Sequence, residues 1–403
     1  MNFKEKLYKH YLNIGIDISN NFTSWNFKTL FLCIFISILF VFTGYAATCG
    51  IFSTDDPGTR VVLIITSTYI YVIEFRVISL IWTRKDLDKI MEWIMQRYAP
   101  RINSIVGNNA QVQFGLLNQN LLKWAKVYFW ICLVSTLFMI LMPLMVPSID
   151  FAIPFEIPFI PSKGWPYFHI NYGLQTIFLL FAVYFINLYL GTFIFIMTHV
   201  LLELDLVLEL CKKIGIYEES LFDFEKNLYD FEMFQAGKLQ ECPNLSQMPI
   251  NHERFDKLFS SIVHMHNDVT RIISKISVFF SINMFIWEMM IVCGYCKSFT
   301  IIVWYRELAH FIPMDQVIYF HYFIICFLSL KMSEKYENIG NEIYLSKWYY
   351  LTKHQKRSLL IVMMKARQTS TLTSAGVADM DLERFTSVSK GCYNLCLFLG
   401  KFM

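Results

Sequence analysis

Six stretches of this chain are apolar for long enough to cross a bilayer as helix: about 29–51, 61–82, 127–147, 171–200, 276–297 and 308–330. Nothing constrains the fold more. About 20 mostly apolar residues of helix are needed to span the roughly 30 Å of hydrocarbon in a membrane. A seventh stretch, about 380–401, has enough length but carries Asp381, Glu383, Arg384, Lys390 and Asn394. The expected fold is therefore all-α and integral to the membrane, with seven transmembrane helices in one domain over residues 1–403. Composition agrees, since 55% of residues are hydrophobic and 17% charged, against about 45–50% and about 25% in soluble domains.

Sidedness follows from where Lys and Arg fall, because cytoplasmic connections are enriched in both. One set of connections carries most of them. The first 28 residues hold Lys4, Lys6, Lys9 and Lys28, and residues 83–126 hold Arg84, Lys85, Lys89, Arg97, Arg101, Lys123 and Lys126. Residues 201–262 hold Lys212, Lys213, Lys226, Lys238, Arg254 and Lys257; residues 331–357 hold Lys331, Lys335, Lys347, Lys353, Lys356 and Arg357. The alternate connections hold only Arg60, Lys163, Lys297 and Arg306. The N-terminus is thus expected in the cytoplasm and, with seven crossings, the C-terminus outside. A G-protein-coupled receptor would be arranged the other way round.

The connections are unequal in length as well as charge. Residues 148–170, rich in Pro and aromatics, read as an outer lid without helix. The inner connections carry helical periodicity in "VLLELDLVLELCKKIG", "FDKLFSSIVHMHNDVTRIISKIS" and "SLKMSEKYENIGNEIYLSKWYY", so spans four, five and six are expected to continue into the cytoplasm as amphipathic helices. These extensions, from 201–275 and 331–370, need something to pack on and would form a cytoplasmic anchor. The sequons at Asn21 and Asn244 fall on the cytoplasmic side in this scheme and are expected to be unused.

Polar residues at membrane depth face a protein interior or water. The tail from Met380, with Asp379 as its expected N-cap, is therefore either a pore-lining helix or one buried in the bundle. Ser389, Tyr393, Cys396 and Gly400 share one face at spacings of three and four. Nothing points to catalysis: there is no Gly-rich phosphate loop, no nucleophile and base in a recognisable frame, and no nucleic-acid patch. His264, His266 and Asp268 do not share one helix face, and "CGYC" at Cys293 and Cys296 has no second pair, so no metal or other cofactor is expected.

From span six onward the sequence resembles the insect odorant receptor family. Ser333 in "KMSEKYENIGNEIY", Trp348 in "SKWYY", "TLTSAG" from Thr371 to Gly376, Phe385 in "DLERF" and Tyr393 follow that family's C-terminal pattern in order and spacing, and Gln175 and His199 fit it in span four. The resemblance implies an odorant-gated, non-selective cation channel in the plasma membrane of olfactory neurons. It further implies assembly as a tetramer with a shared co-receptor, an anchor built from spans four to seven, and a pore lined by the last helix. Ligand would sit in the outer half among spans two, three, four and six. On those spans the candidates that share faces are Thr66, Tyr69, Ile70 and Ile73; Val134, Phe138 and Met142; Leu174, Phe178 and Phe181; and Phe311, Asp315, Ile318 and Tyr319. The pore candidates are Ser389, Tyr393, Cys396 and Gly400, with Leu399 closing the pore in an alternative register. A gustatory-type channel and a metabotropic seven-helix receptor are the competing readings; a transporter would call for repeated halves, which are absent.

Overall fold

The computed structural model describes residues 8–9, 11–12, 27–55, 57–104, 123, 126–142, 145, 166–212, 214, 252–304, 312–367 and 371–402. Eight α-helices carry nearly all of it. They are α1 (Phe27–Ser53), α2 (Pro57–Ser104), α3 (Lys126–Met142), α4 (Tyr167–Lys212), α5 (His252–Trp304), α6 (Ile312–Leu345), α7 (Lys353–Ala366) and α8 (Leu382–Phe402). A two-stranded antiparallel hairpin, β1 (Thr373–Ser374) and β2 (Ala378–Asp379), precedes α8. Phe311, Asn21, Asn244 and most of the expected 148–170 lid fall outside the described residues. The last part of that lid, from Tyr167, is already the first turn of α4.

Five helices, α1, α2, α4, α5 and α6, contain windows apolar and long enough to cross a membrane; α3 is apolar but shorter in its described part. The chain is a multi-pass helical membrane protein. Helix α4 sits at the centre, with Phe178, Ala182, Phe185, Tyr189, Phe193, Ile196, Val200, Leu204 and Val207 all buried. The reason is in its sequence: it is apolar on every side, and a helix of that kind is stable only when surrounded. By contrast, α1 leaves Phe31, Ile34, Phe35, Ile38 and Phe42 exposed along one face. Such a continuous apolar surface is not left to water.

Four of the helices extend far beyond what a membrane needs, α2 among them with 48 residues to Ser104. Helix α4 runs on without a break to Lys212, α5 begins at His252, and α6 continues to Leu345. At that end of the bundle, Lys335 pairs with Asp205 at 2.5 Å, the Tyr336 and Thr270 hydroxyls lie 2.9 Å apart, and Gln355 donates to Asp256 at 2.8 Å. Helix α7 starts on a capping box in which Thr352 and Gln355 satisfy each other's backbone N–H groups. His264 is exposed while His266 is buried against the Tyr336 ring, so the two turn away from each other.

The "TLTSAG" stretch forms the hairpin. Ala375 and Gly376 both have positive φ, 49° and 72°, with Val377 N–H donating to the Ser374 carbonyl. Two successive positive φ values define a type I′ turn, which is where Gly is favoured. The hairpin docks on α5 through the Ala375 N–H, 3.1 Å from the Ser281 carbonyl. This closure moves the start of the last helix. Met380 N–H is spent on the Leu372 carbonyl, Asp379 accepts from the Thr371 hydroxyl, and the N-cap is Asp381, whose carboxylate accepts from the Arg384 N–H at 2.6 Å. The expected cap at Asp379 was two residues too early.

A polar cleft between α2, α5 and α6

A narrow cleft opens where α2, α5 and α6 meet, lined by Tyr69, Met290, Ile291, Gly294, Tyr295, Ser298, Asp315, Gln316, Ile318 and Tyr319. About 10 Å³ of it can take the centre of a water molecule. That is room for about one water, so a larger ligand enters only as side chains move apart.

One wall is charged. Asp315 and Lys297 form an ion pair of 2.8 Å with both side chains about 5% exposed or less. Ser298 donates to the second carboxylate oxygen at 2.6 Å, and the Tyr69 hydroxyl donates to the Met290 carbonyl at 3.0 Å with Asp315 a longer 3.4 Å away. Lys297 Nζ also lies 4.8 Å from the centre of the Tyr69 ring. A buried pair of this kind needs its remaining lone pairs and protons met as well, and the Ser298 hydroxyl meets the second carboxylate oxygen here.

The opposite wall is aromatic and reaches α8. Tyr319 packs against Tyr295 and Phe385 at centroid distances of 5.2 and 4.9 Å, and its hydroxyl lies 3.1 Å from Ser389 Oγ. Cys396 Sγ lies 3.8 Å from the Tyr295 carbonyl. Below, Glu288 accepts from Arg384 at 2.9 and 3.1 Å, from Tyr322 at 2.9 Å and from Ser374 at 3.0 Å. One carboxylate thus joins α5, α6, the hairpin and α8.

Of the sequence candidates, Tyr69, Asp315, Ile318 and Tyr319 line the cleft. Thr66, Ile70 and Ile73 are buried on α2 beside it. The α3 and α4 candidates do not reach it. Val134 and Phe138 are 62% and 46% exposed, Phe178 packs on Phe40, and Met142, Leu174 and Phe181 are half-buried elsewhere. On α8, Ser389 turns to Tyr319 and Cys396 is buried against α5, while Tyr393 is exposed, so these three do not form one open face. The surroundings of Leu399 and Gly400 lie outside the description. Sequence reasoning missed the contribution of α5 altogether. Lys297, counted as a loop charge, belongs to α5 and is buried.

Gly294 explains why Tyr69 fits. A Cβ at that position would sit inside van der Waals contact of the Tyr69 hydroxyl, while its next neighbours are an ordinary 3.5 Å away. Gly294→Ala should therefore destabilise by about 1–3 kcal/mol, read as a lower unfolding midpoint of the purified protein. Adding Tyr69→Phe, which removes the clashing oxygen, should restore most of it; a double variant no better than the single one would show that the clash is not with that hydroxyl.

Long membrane helices around a buried polar cleft define a multi-pass helical membrane protein. The family described as 7tm Odorant receptor matches residues 59–393, and the chain belongs to that family, whose members are receptors and not enzymes. Two structures of the insect olfactory receptor OR5 from Machilis hrabei share the fold. The complex with eugenol has a TM-score of 0.75 at 13% identity and covers 99% of this chain and 97% of its own. The other has a TM-score of 0.76 at 12% identity, covering 98% of this chain and 97% of its own. Among curated protein sequences none matches.

Proposed function

We infer that this chain is the odorant-binding subunit of a ligand-gated, non-selective cation channel that crosses the plasma membrane seven times, with its N-terminus in the cytoplasm and its C-terminus outside. A small volatile ligand enters the cleft between α2, α5 and α6; that a receptor of similar fold forms a complex with eugenol supports a ligand of this kind. The contact from Tyr319 to Ser389 carries the reading, because it joins a cleft-lining side chain directly to the last helix. Moving Tyr319 to admit a ligand necessarily disturbs α8.

Helix α8 is suited to line a pore. Leu382, Phe385, Val388, Cys392 and Cys396 cover the side facing α5 and α6, while Glu383, Ser387, Lys390, Asn394 and Lys401 are exposed on the other. A polar stripe at membrane depth calls for water or protein against it. Copies of α8 around an axis would supply the water, and this stripe replaces the Ser389, Tyr393 and Cys396 face as the proposed lining for monovalent and divalent cations. The partner is a shared co-receptor in a heterotetramer within the lipid bilayer, in the dendrite of an olfactory neuron.

Two experiments test this. Cells carrying the chain together with the co-receptor should give cation currents to some members of an odorant panel, and cells carrying the co-receptor alone should not. A chain present at the cell surface that yields no current to any odorant would remove the channel reading. Independently, an epitope at Met1 should be reached only after permeabilisation and one at Met403 from outside. Both ends on the same side would require an even number of crossings.

A further inference from the structure

Two of the buried acidic groups already have partners: Asp315 is paired with Lys297 and Glu288 with Arg384. Arg76 is different. It is 1% exposed, and none of its three guanidinium nitrogens has a hydrogen-bond partner among the described residues. Its guanidinium carbon lies 3.8 Å from the centre of the Trp287 ring and 5.6 Å from that of Tyr189. The Trp287 ring is in turn 5.2 Å from that of His321. Asn283 lies one turn before Trp287 on the same face of α5. All of these residues are buried, and the Trp287 Nε1, the Tyr189 hydroxyl and the Asn283 Oδ1 also lack partners among the described residues.

Four buried polar side chains, one each from α2, α4, α5 and α6, therefore meet without satisfying one another, and Asn283 lies one turn away. Their inventory is lopsided. Arginine offers five N–H donors and no acceptor, and indole one donor and no acceptor; Tyr and neutral His add one donor and one acceptor each, so donors outnumber acceptors by eight to two. Leaving such groups unpaired in an apolar interior is costly, most of all for the charge. What completes the set is an acceptor with several lone pairs and a negative charge, and a carboxylate, with two oxygens that match a guanidinium fork, has that form. Three of the four helices that carry the cluster also line the cleft. Arg76 and Trp287 each lie seven residues inward of the cleft residues Tyr69 and Gly294, about 10 Å along their helices, and His321 is one turn inward of Ile318. The cluster therefore lies inward of the cleft along these helices.

We propose that Arg76, with Trp287, Tyr189 and His321, binds the carboxylate of an organic acid whose apolar chain extends up into the cleft. This selects a ligand class for the receptor, and it is a statement about binding that needs no ion conduction to be tested. The full-length chain, purified in lipid nanodiscs, is titrated with hexanoate, hexanamide, 1-hexanol, oleate and sodium chloride, reading the unfolding midpoint and the heat of binding. Hexanoate should raise the midpoint and the amide and alcohol of equal length should not. Oleate in place of hexanoate would equally support the carboxylate site and give its source as a membrane fatty acid. Arg76→Met should weaken acid binding about 10–100-fold, the worth of charge-assisted hydrogen bonds, and should raise the midpoint of the unliganded protein by removing an unpaired charge. Tyr189→Phe, which removes one hydroxyl and no bulk, should weaken it about fivefold and serves if Arg76→Met does not fold. Equal stabilisation by hexanol, unchanged acid binding in both variants, or an effect reproduced in full by chloride would overturn the proposal.

Discussion

Glu288→Ala should be among the most damaging single changes in this protein, lowering its stability by about 3–5 kcal/mol. The carboxylate side chain is 5% exposed and accepts four hydrogen bonds, two from Arg384 and one each from Tyr322 and Ser374. Truncation removes the acceptor and leaves the donors of α6, α8 and the hairpin in place, so the loss includes the cost of stranding them. Glu288→Gln, which keeps the shape and one oxygen, should cost less. An exposed pair supplies the contrast: Lys331 and Glu334 lie closer still, 2.7 Å apart, but both are more than 40% exposed. Breaking such a pair is worth about 0–1 kcal/mol. The comparison is read from the unfolding midpoints of the purified variants and their amounts at the cell surface. A Glu288→Ala protein as stable as the parent would mean that α8 and the hairpin are held in place by something other than this carboxylate.

The helices were legible where the sequence is one-sided. Helix α4 is apolar all round over its first thirty residues and then alternates apolar with acidic positions, and both its central burial and its extension to Lys212 follow from that. The cleft was half legible. Tyr69, Asp315 and Tyr319 stand out as polar or hydroxyl-bearing residues in the outer parts of apolar runs. Met290, Ile291, Gly294 and Tyr295 look the same in sequence as residues that face lipid, and only the approach of α2 and α6 gives them a different role. Lys297 misled for the same reason. It reads as a loop charge until Asp315, eighteen residues on and on another helix, is found 2.8 Å away.

The last helix shows a similar limit. Spacing groups Ser389, Tyr393 and Cys396 on one arc, but periodicity does not say which arc meets the helix's own bundle. Tyr319 and the Tyr295 carbonyl decide that by holding Ser389 and Cys396. The start of the helix shifted from Met380 to Leu382 because a backbone bond from Met380 to Leu372 closes the hairpin, a contact across eight residues that no local cap signal carries.

The central claim is that this chain is itself part of an odorant-opened pore lined by the exposed side of α8. It is tested most directly in excised outside-out patches containing the chain and the co-receptor, bathed in solutions free of nucleotides. Asn394 is changed to Cys and a charged thiol reagent is applied outside during odorant pulses. The exposed position of Asn394 and the burial of Cys396 against α5 give the expected result: odorant alone opens the channel, the reagent alters the Asn394→Cys current irreversibly and faster with odorant present, and the parent is indifferent. A current that needs GTP, or one altered in the parent through Cys396 and not through Asn394→Cys, would contradict the account.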